Sequence, residues 1–287
     1  MKIPFLSVLF FLVIMSIACQ KNNSPVAPMP IVIPTTPTIP ITYDFESTPA
    51  WADEFEVDGL PDSKKWSYDV GGSGWGNNEL EYYTKDNLKN ARIEKGNLII
   101  EAIKEHFENR NYTSARLVTK GKGDFLYGRF EIKAKLPKGL GTWPAIWTLA
   151  TEQTYGSDYW PDNGEIDIME HVGYDPNVIH ASIHTKAYYF KINTQKTAVV
   201  TIPTAMTEFH IYRIDWTPKK IEAFIDENSY LTFENEGIGW TKWPFDKKQH
   251  LLLNVAVGGD WGGQKGVDDT IFPQRMEVDY VRIYKLK

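Results

Sequence analysis

Three carboxylates stand close together in Gly164-Glu165-Ile166-Asp167-Ile168-Met169-Glu170-His171, interleaved with three large apolar residues. Acids at i, i+2 and i+5 fit neither regular template. A strand places i and i+2 on one face and i+5 on the other. A helix groups i with i+3 and i+4, and so brings no two of these acids together. One extra residue bulging out near Ile168-Met169 would restore the strand's phase and gather all three on one face. With Ile166 and Ile168 turned to a core, Glu165 and Asp167 point the other way, toward a groove that the aromatic neighbouring segments would line. Two carboxylic acids on a rigid sheet can break a glycosidic bond with retention. One attacks the anomeric carbon and the other protonates the leaving oxygen, the two lying roughly 5–5.5 Å apart. Glu165 and Glu170 suit these roles once a bulge aligns them. Asp167 between them supplies charge that raises the acid's pKa, or hydrogen-bonds the nucleophile and fixes its orientation. The plainer alternative is a solvated strand face bearing acids by chance. Against it, no lysine nearby balances the three charges, and perturbed carboxylates cluster at functional sites.

The elements that must carry these acids read as short strands. Arg92-Ile93-Glu94 runs through the turn Lys95-Gly96-Asn97 into Leu98 to Ile103, followed by Tyr127 to Leu136 and Phe209 to Trp216. Lys220 to Asp226, Gln249 to Val257 and Glu277 to Tyr284 continue the pattern. Apolar and polar residues alternate through most of them, the signature of half-buried antiparallel strands. Many short strands without intervening helices predict an all-β fold of two packed antiparallel sheets, a sandwich or jelly roll. No internal repeat divides it, and 287 residues suffice for one large core. Aromatic residues make up 14% of the chain, including 10 Trp and 15 Tyr, which suits sheet faces and the stacking of sugars. The net charge of -6 and the lack of a long basic run argue against nucleic acid as a partner.

The first 18 residues read as an export signal: Met1-Lys2 is a short positive region, and Phe5 to Ala18 is apolar apart from Ser7 and Ser16. That run of about 14 residues falls short of the roughly 20 that span a bilayer. Cys19 is the only cysteine, so no intrachain disulfide can form. Placed just after the apolar core and behind Ala18, it resembles the lipidated cysteine of a bacterial lipobox, although Ser16 stands where leucine is usual. Residues 19–41 then form a lipid-anchored cysteine and a Pro/Thr-rich linker with prolines at 25, 28, 30, 34, 37 and 40, an extended spacer. The expectation is an exported, membrane-anchored lipoprotein, periplasmic or at the cell surface, with a catalytic domain over residues 42–287. A soluble secreted protein with an incidental leader cysteine is the alternative.

Gly164 to Glu170 resembles the bulged Glu-x-Asp-x-x-Glu signature of glycoside hydrolase family 16, and above all its bacterial laminarinase group, the endo-β-1,3-glucanases. The likeness covers nearly all of Trp51 to Tyr284. It includes Gly74 to Thr84, Tyr112 to Leu117, Gly141 to Trp147, Tyr159-Trp160-Pro161, Ile183 to Tyr188 and Asn254 to Gly263. The resemblance implies a β jelly roll whose concave sheet forms an open cleft. It implies double-displacement hydrolysis of β-1,3-glucan, with Glu165 as nucleophile, Asp167 as its assistant and Glu170 as acid/base. Trp143, Trp147 and Trp160 fall in motifs tied to the family's sugar-binding cleft, where an indole packs on the C–H face of a pyranose. Trp261 lies in a Gly-rich loop, Asn78 and Arg116 offer hydrogen bonds to hydroxyls, and His184 belongs to a strand that the family places beside the catalytic one. Trp66, Trp216 and His171 are assigned to packing. The chemistry needs no cofactor. Many members carry a calcium on the convex side, and the matching positions are Glu54, the carbonyl of Gly96, and Asp279, oxygen donors of the type calcium takes. A monomer acting on a polysaccharide is expected.

Rival readings keep the machinery and change the substrate. Mixed-linkage β-1,3-1,4-glucan specialists usually carry a shorter Glu-x-Asp-x-Glu motif, and sulfated galactans would favour basic residues, of which none lies between Glu165 and His171. Agarose and transglycosylation stay open. A non-catalytic carbohydrate-binding lipoprotein on the same sandwich would have no need of the acid pair.

Overall fold

Alternation of apolar and polar side chains accounts for most strands in residues 43–287, the part of the chain that the computed structural model describes. The expected export signal, Cys19 and the whole of the linker lie outside the described residues. In chain order the strands are β1 (Trp51–Asp53), β2 (Ser67–Asp69), β3 (Glu81–Tyr83), β4 (Ala91–Glu94), β5 (Asn97–Ala102) and β6 (Tyr112–Ser114). Next come β7 (Arg116–Val118), β8 (Asp124–Phe125), β9 (Gly128–Lys135), β10 (Thr142–Ala150), β11 (Glu165–Glu170) and β12 (Val178–His184). The last are β13 (Lys196–Thr201), β14 (His210–Trp216), β15 (Lys220–Ile225), β16 (Asn228–Glu234), β17 (Gln249–Val257) and β18 (Gln274–Tyr284). Each segment read as a strand from sequence overlaps one of these. Helix among the described residues amounts to two 3-10 turns, Phe190–Ile192 and Asp269–Ile271.

The strands form two large antiparallel sheets. The outer one runs β16-β15-β14-β9-β18-β5-β4, with β1 also pairing β18. The other runs β13-β12-β11-β10-β17-β7-β2, with β8 also pairing β17. Neighbours such as β9 and β18, or β10 and β17, lie far apart in sequence, as expected of the jelly roll. One core fills the space between the sheets. Phe130, Ile132 and Ala134 of β9 and Tyr212, Ile214 and Trp216 of β14 share it with Ile146, Ile166, Ile168, Leu251 and Leu253 of the opposite sheet. Trp66 and Trp216 are fully buried, and their indole N–H groups donate to Asp53 Oδ2 at 2.8 Å and to the Phe245 carbonyl at 3.1 Å. Both pack as expected, and so does His171, which is buried beside the Val178 carbonyl.

The feature that positions the site is a bulge in β11. Along β10, Ala145, Ile146 and Trp147 pair with Glu170, Met169 and Asp167, leaving Ile168 without an opposite number. Along β12, Asp167 pairs with Ser182 and Glu170 with His180, so Ile168 and Met169 together face the single residue Ala181. Both bulged side chains are fully buried. The displaced Ile168 carbonyl accepts a hydrogen bond from Tyr230 Oη of β16. Gly164 enters the strand at φ 84°, where a Cβ would lie 2.7 Å from Phe245 and Pro244 side-chain atoms. Only glycine fits that approach without displacing the ring.

Candidate active site

The bulge makes Glu165, Asp167 and Glu170 three successive residues on one face of β11, and that face opens into a cleft of about 890 Å³. Volumes of this order accommodate small ligands or several sugar units. Trp143, Ala145 and Trp147 line it from β10, His180, Ser182 and His184 from β12, and Asn254 and Ala256 from β17. These residues alternate along their strands, so each neighbour of β11 presents one face to the acids.

The three carboxyls perturb one another. Burial, then the charge of Asp167, pushes Glu170 up to about 8. Burial likewise raises Asp167 to about 8, opposed by a hydrogen bond with Glu165. Glu165 is raised well above the ordinary carboxylate range by burial and by Asp167. Three adjacent charges in a poorly solvated site repel, so the group keeps protons at neutral pH. Two neighbours favour the charged forms. His184 Nε2 lies 3.2 Å from Asp167 Oδ2 and 3.9 Å from Glu165 Oε1, and Trp143 Nε1 donates to Glu170 Oε1 at 3.0 Å. Chemically the arrangement offers a protonated acid at Glu170 and, next to it on the same face, a carboxyl pair able to share one charge.

Aromatic rings extend the site on both sides. Trp143 packs edge-on to Trp261 at 5.5 Å, and Trp261 edge-on to His180 at 4.9 Å. Trp160 meets His184 at 6.0 Å and Phe190 at 5.6 Å. Arg116, expected to reach hydroxyls, is itself buried between two indoles, 4.8 Å from the Trp75 ring and 4.6 Å from that of Trp147, with Nε 3.0 Å from Asp69 Oδ2. A desolvated cation over an indole contributes about 2 kcal/mol, so Arg116 stiffens the cleft wall as well as lining it. Asn78 is the exception among the expected contacts. It adopts φ 55° at an exposed turn, donates from Nδ2 to Asp260 Oδ1 at 2.8 Å and does not line the cleft, whereas its neighbour Asn77 does.

Several lining residues had no part in the sequence-based site: Trp75, Glu79, Tyr159, His180, Ser182 and Lys191. His180 and Ser182 share parity with His184 and could have been found by stepping back along β12 in twos. Lys191 follows Phe190 in a 3-10 turn and stands 5.5 Å over the Trp160 ring. A basic residue thus reaches the cleft from a distant loop.

Among the described residues, one set of metal-type donors converges: Glu165, Asp167 and His184 each place an atom within 4.8 Å of the others. The two carboxylates of this set are those that face a reacting sugar in the glycosidase reading. The expected calcium positions also converge in register, since Glu54 follows the Asp53–Val281 pair and Gly96 lies in the turn before the Leu98–Val278 pair, on either side of Asp279. Their carboxylates are engaged: Glu54 accepts from Arg282 Nε and Nη2 at 2.9 and 2.8 Å, and Asp279 lies 2.6 Å from Lys133 Nζ. The paired side chains are about a third exposed, and although the oxygen donors are of the type calcium takes, a cation there would have to displace both Arg282 and Lys133.

Comparison with known proteins agrees with this geometry. A beta-glucanase of Rhodothermus marinus is 58% identical over 240 residues, 82% of this chain and 84% of that protein. The X-ray structure of the laminarinase from Rhodothermus marinus superposes with a TM-score of 0.83 at 55% identity, covering 85% of this chain and 99% of the other. A mutant of SCLam, described as a non-specific endo-beta-1,3(4)-glucanase and co-crystallised with 1,3-beta-D-cellotriosyl-glucose, has a TM-score of 0.80 at 46% identity, covering 84% and 95%. Residues 76–282 match the family of that fold, and with the bulged acid strand facing an aromatic cleft the chain belongs to the glycosyl hydrolases family 16.

Proposed function

We propose that this protein is a retaining endo-β-1,3-glucanase acting on laminarin-type chains. The observation that carries the reading is the β11 bulge, which brings Glu165, Asp167 and Glu170 to one face of the cleft while Glu170 is held protonated at neutral pH. The names of the relatives support the substrate. In the first step Glu170 gives its proton to the glycosidic oxygen as that C–O bond breaks, and a Glu165 carboxylate oxygen bonds to the anomeric carbon. Asp167 keeps the proton shared with Glu165, leaving the attacking oxygen charged. In the second step the Glu170 carboxylate takes a proton from water, whose oxygen displaces Glu165 and restores both acids. Trp143, Trp147, Trp160 and Trp261 are the platforms for sugar faces, and His184 steadies the charge on the Asp167–Glu165 pair. The expected hydrogen bond from Asn78 passes to Asn77. Activity on mixed-linkage chains is a second reading, favoured by the likeness to an enzyme described as non-specific.

Reducing-end release from laminarin, curdlan, lichenan and agarose tests the proposal. Laminarin is expected to be cleaved fastest. No release from laminarin overturns the hydrolase reading, and faster cleavage of agarose overturns the substrate. Glu165→Ala should lose on the order of 10⁴-fold in kcat; a normally active variant removes Glu165 from the role of nucleophile. A calcium held by Glu54, the Gly96 carbonyl and Asp279 would steady the fold far from the chemistry. Export and lipidation at Cys19 complete the proposal: full-length protein is expected to partition into detergent, and Cys19→Ala to remain in the aqueous phase.

A further inference from the structure

A second carboxylate pair takes no part in the steps above. Glu79, Glu81 and Tyr83 occupy alternate positions of Glu79-Leu80-Glu81-Tyr82-Tyr83 and are buried to 5%, 0% and 0% exposure. Glu79 reaches the cleft wall, and hydrogen bonds connect it to the aromatic floor. Trp147 Nε1 donates to Asn254 Oδ1 at 2.8 Å, and Asn254 Nδ2 to Tyr83 Oη at 3.1 Å. Tyr83 Oη donates to Glu79 Oε2 at 3.0 Å, and Asn77 Nδ2 to Glu79 Oε1 at 3.2 Å. Glu81 Oε2 accepts the Val257 N–H at 2.6 Å. Its Oε1 is buried with no donor facing it.

The donor inventory gives this chain a single direction. An indole N–H can only donate, so Asn254 turns its oxygen to Trp147 and its NH₂ to Tyr83. Tyr83 therefore uses its own hydrogen on Glu79. Glu79 accepts at both oxygens, which marks it as the charged member. Glu79 and Glu81 are hydrogen-bonded side chain to side chain; two such buried carboxyls do not both ionise, and the proton falls to Glu81, which donates it to Glu79. Burial and the charge of Glu79 raise the Glu81 carboxyl well above its usual range, in keeping with that assignment.

We propose that charged Glu79 and protonated Glu81 are positioning residues that lock Tyr83 and Asn254 in the one orientation holding the Trp147 indole in place as a sugar platform. Tyr83 also packs 5.5 Å from the Trp75 ring, and Arg116 lies between Trp75 and Trp147, so the pair sets all three side chains as a unit. The sugar-binding role rests on the glucanase reading; the proton assignment does not.

The test joins laminarin kinetics to infrared spectroscopy and thermal melts on folded variants. Glu79→Gln presents an NH₂ to an incoming donor, and Glu81→Leu removes the donor to Glu79. Each is expected to raise KM about tenfold, with kcat within about threefold, the cost of one buried unpaired group. Glu81→Gln keeps both a donor and an acceptor and should recover most of the affinity lost in Glu81→Leu. At neutral pH the spectrum of wild type minus Glu81→Gln should show a protonated-carboxyl band, whether or not the protein cleaves laminarin. An absent band overturns the proton assignment. Unchanged KM in Glu79→Gln, a loss in kcat alone, or no recovery in Glu81→Gln overturns the positioning role.

Discussion

In the proposed mechanism Glu170 is the acid, and two opposed influences meet on its proton. Burial and the charge of Asp167 raise it to about 8, while the Trp143 N–H, bound to Oε1, favours its charged form. Since catalysis needs the protonated acid in the first step, kcat/KM should fall as pH rises through about 8, the value the site sets. Trp143→Phe removes a donor that stabilises the carboxylate, so the Glu170 pKa rises and the alkaline limb of kcat/KM moves to higher pH. A pH–rate profile checks this, and a limb that stays put or moves down would sever the Trp143–Glu170 link. The acid limb belongs to the Glu165–Asp167 pair, whose carboxyls are both raised, so it should lie above the usual carboxylate range.

The strand around these acids can lose its extra residue without turning them. Deleting Met169 would leave Ile168 opposite Ile146 and Ala181, and Glu170 still opposite Ala145 and His180, so the straightened strand keeps all three acids on the cleft face. What it loses is one of the two side chains buried at the bulge, a core loss of about 2–5 kcal/mol. The expected outcome is a melting temperature lower by roughly 5 °C or more, since about 2–4 °C accompany each kcal/mol in a domain of this size, with laminarin still cleaved. Calorimetry and laminarin assays check it; a folded but inactive deletion would show that the facing of the acids is not what the bulge supplies. The bulge was legible because three acids at i, i+2 and i+5 make sense on a sheet only with one residue added. The outer strands were legible because their faces alternate: β9 buries every second residue. Less legible were residues whose neighbours lie far along the chain. β17 is buried along its whole length, so alternation could not single out Asn254 as a cleft residue, and β3 pairs β6 in parallel across a long connection. Asn78 was assigned from its motif and from the hydrogen bonds its amide can make, and neither reveals the left-handed turn in which its Nδ2 donates to Asp260.

The whole domain divides its work between its two sheets. The sheet containing β11 carries the proposed chemistry, and the outer sheet, with Glu54, Gly96 and Asp279 near β18, carries the expected calcium positions. Stability and catalysis should therefore separate. Chelation with EDTA is expected to lower the melting temperature by several degrees, as loss of a bound ligand does, while kcat/KM at 25 °C stays constant. An unchanged melting temperature would remove calcium from the picture, and a loss of activity at 25 °C would place a metal in the cleft. Retention joins the bulge, the three acids and the glucan in one observable. Proton NMR of laminarin digestion, followed from the first minutes, should show the β-anomer of the new reducing end appearing before mutarotation forms the α-anomer. An α-anomer formed first would contradict attack by Glu165.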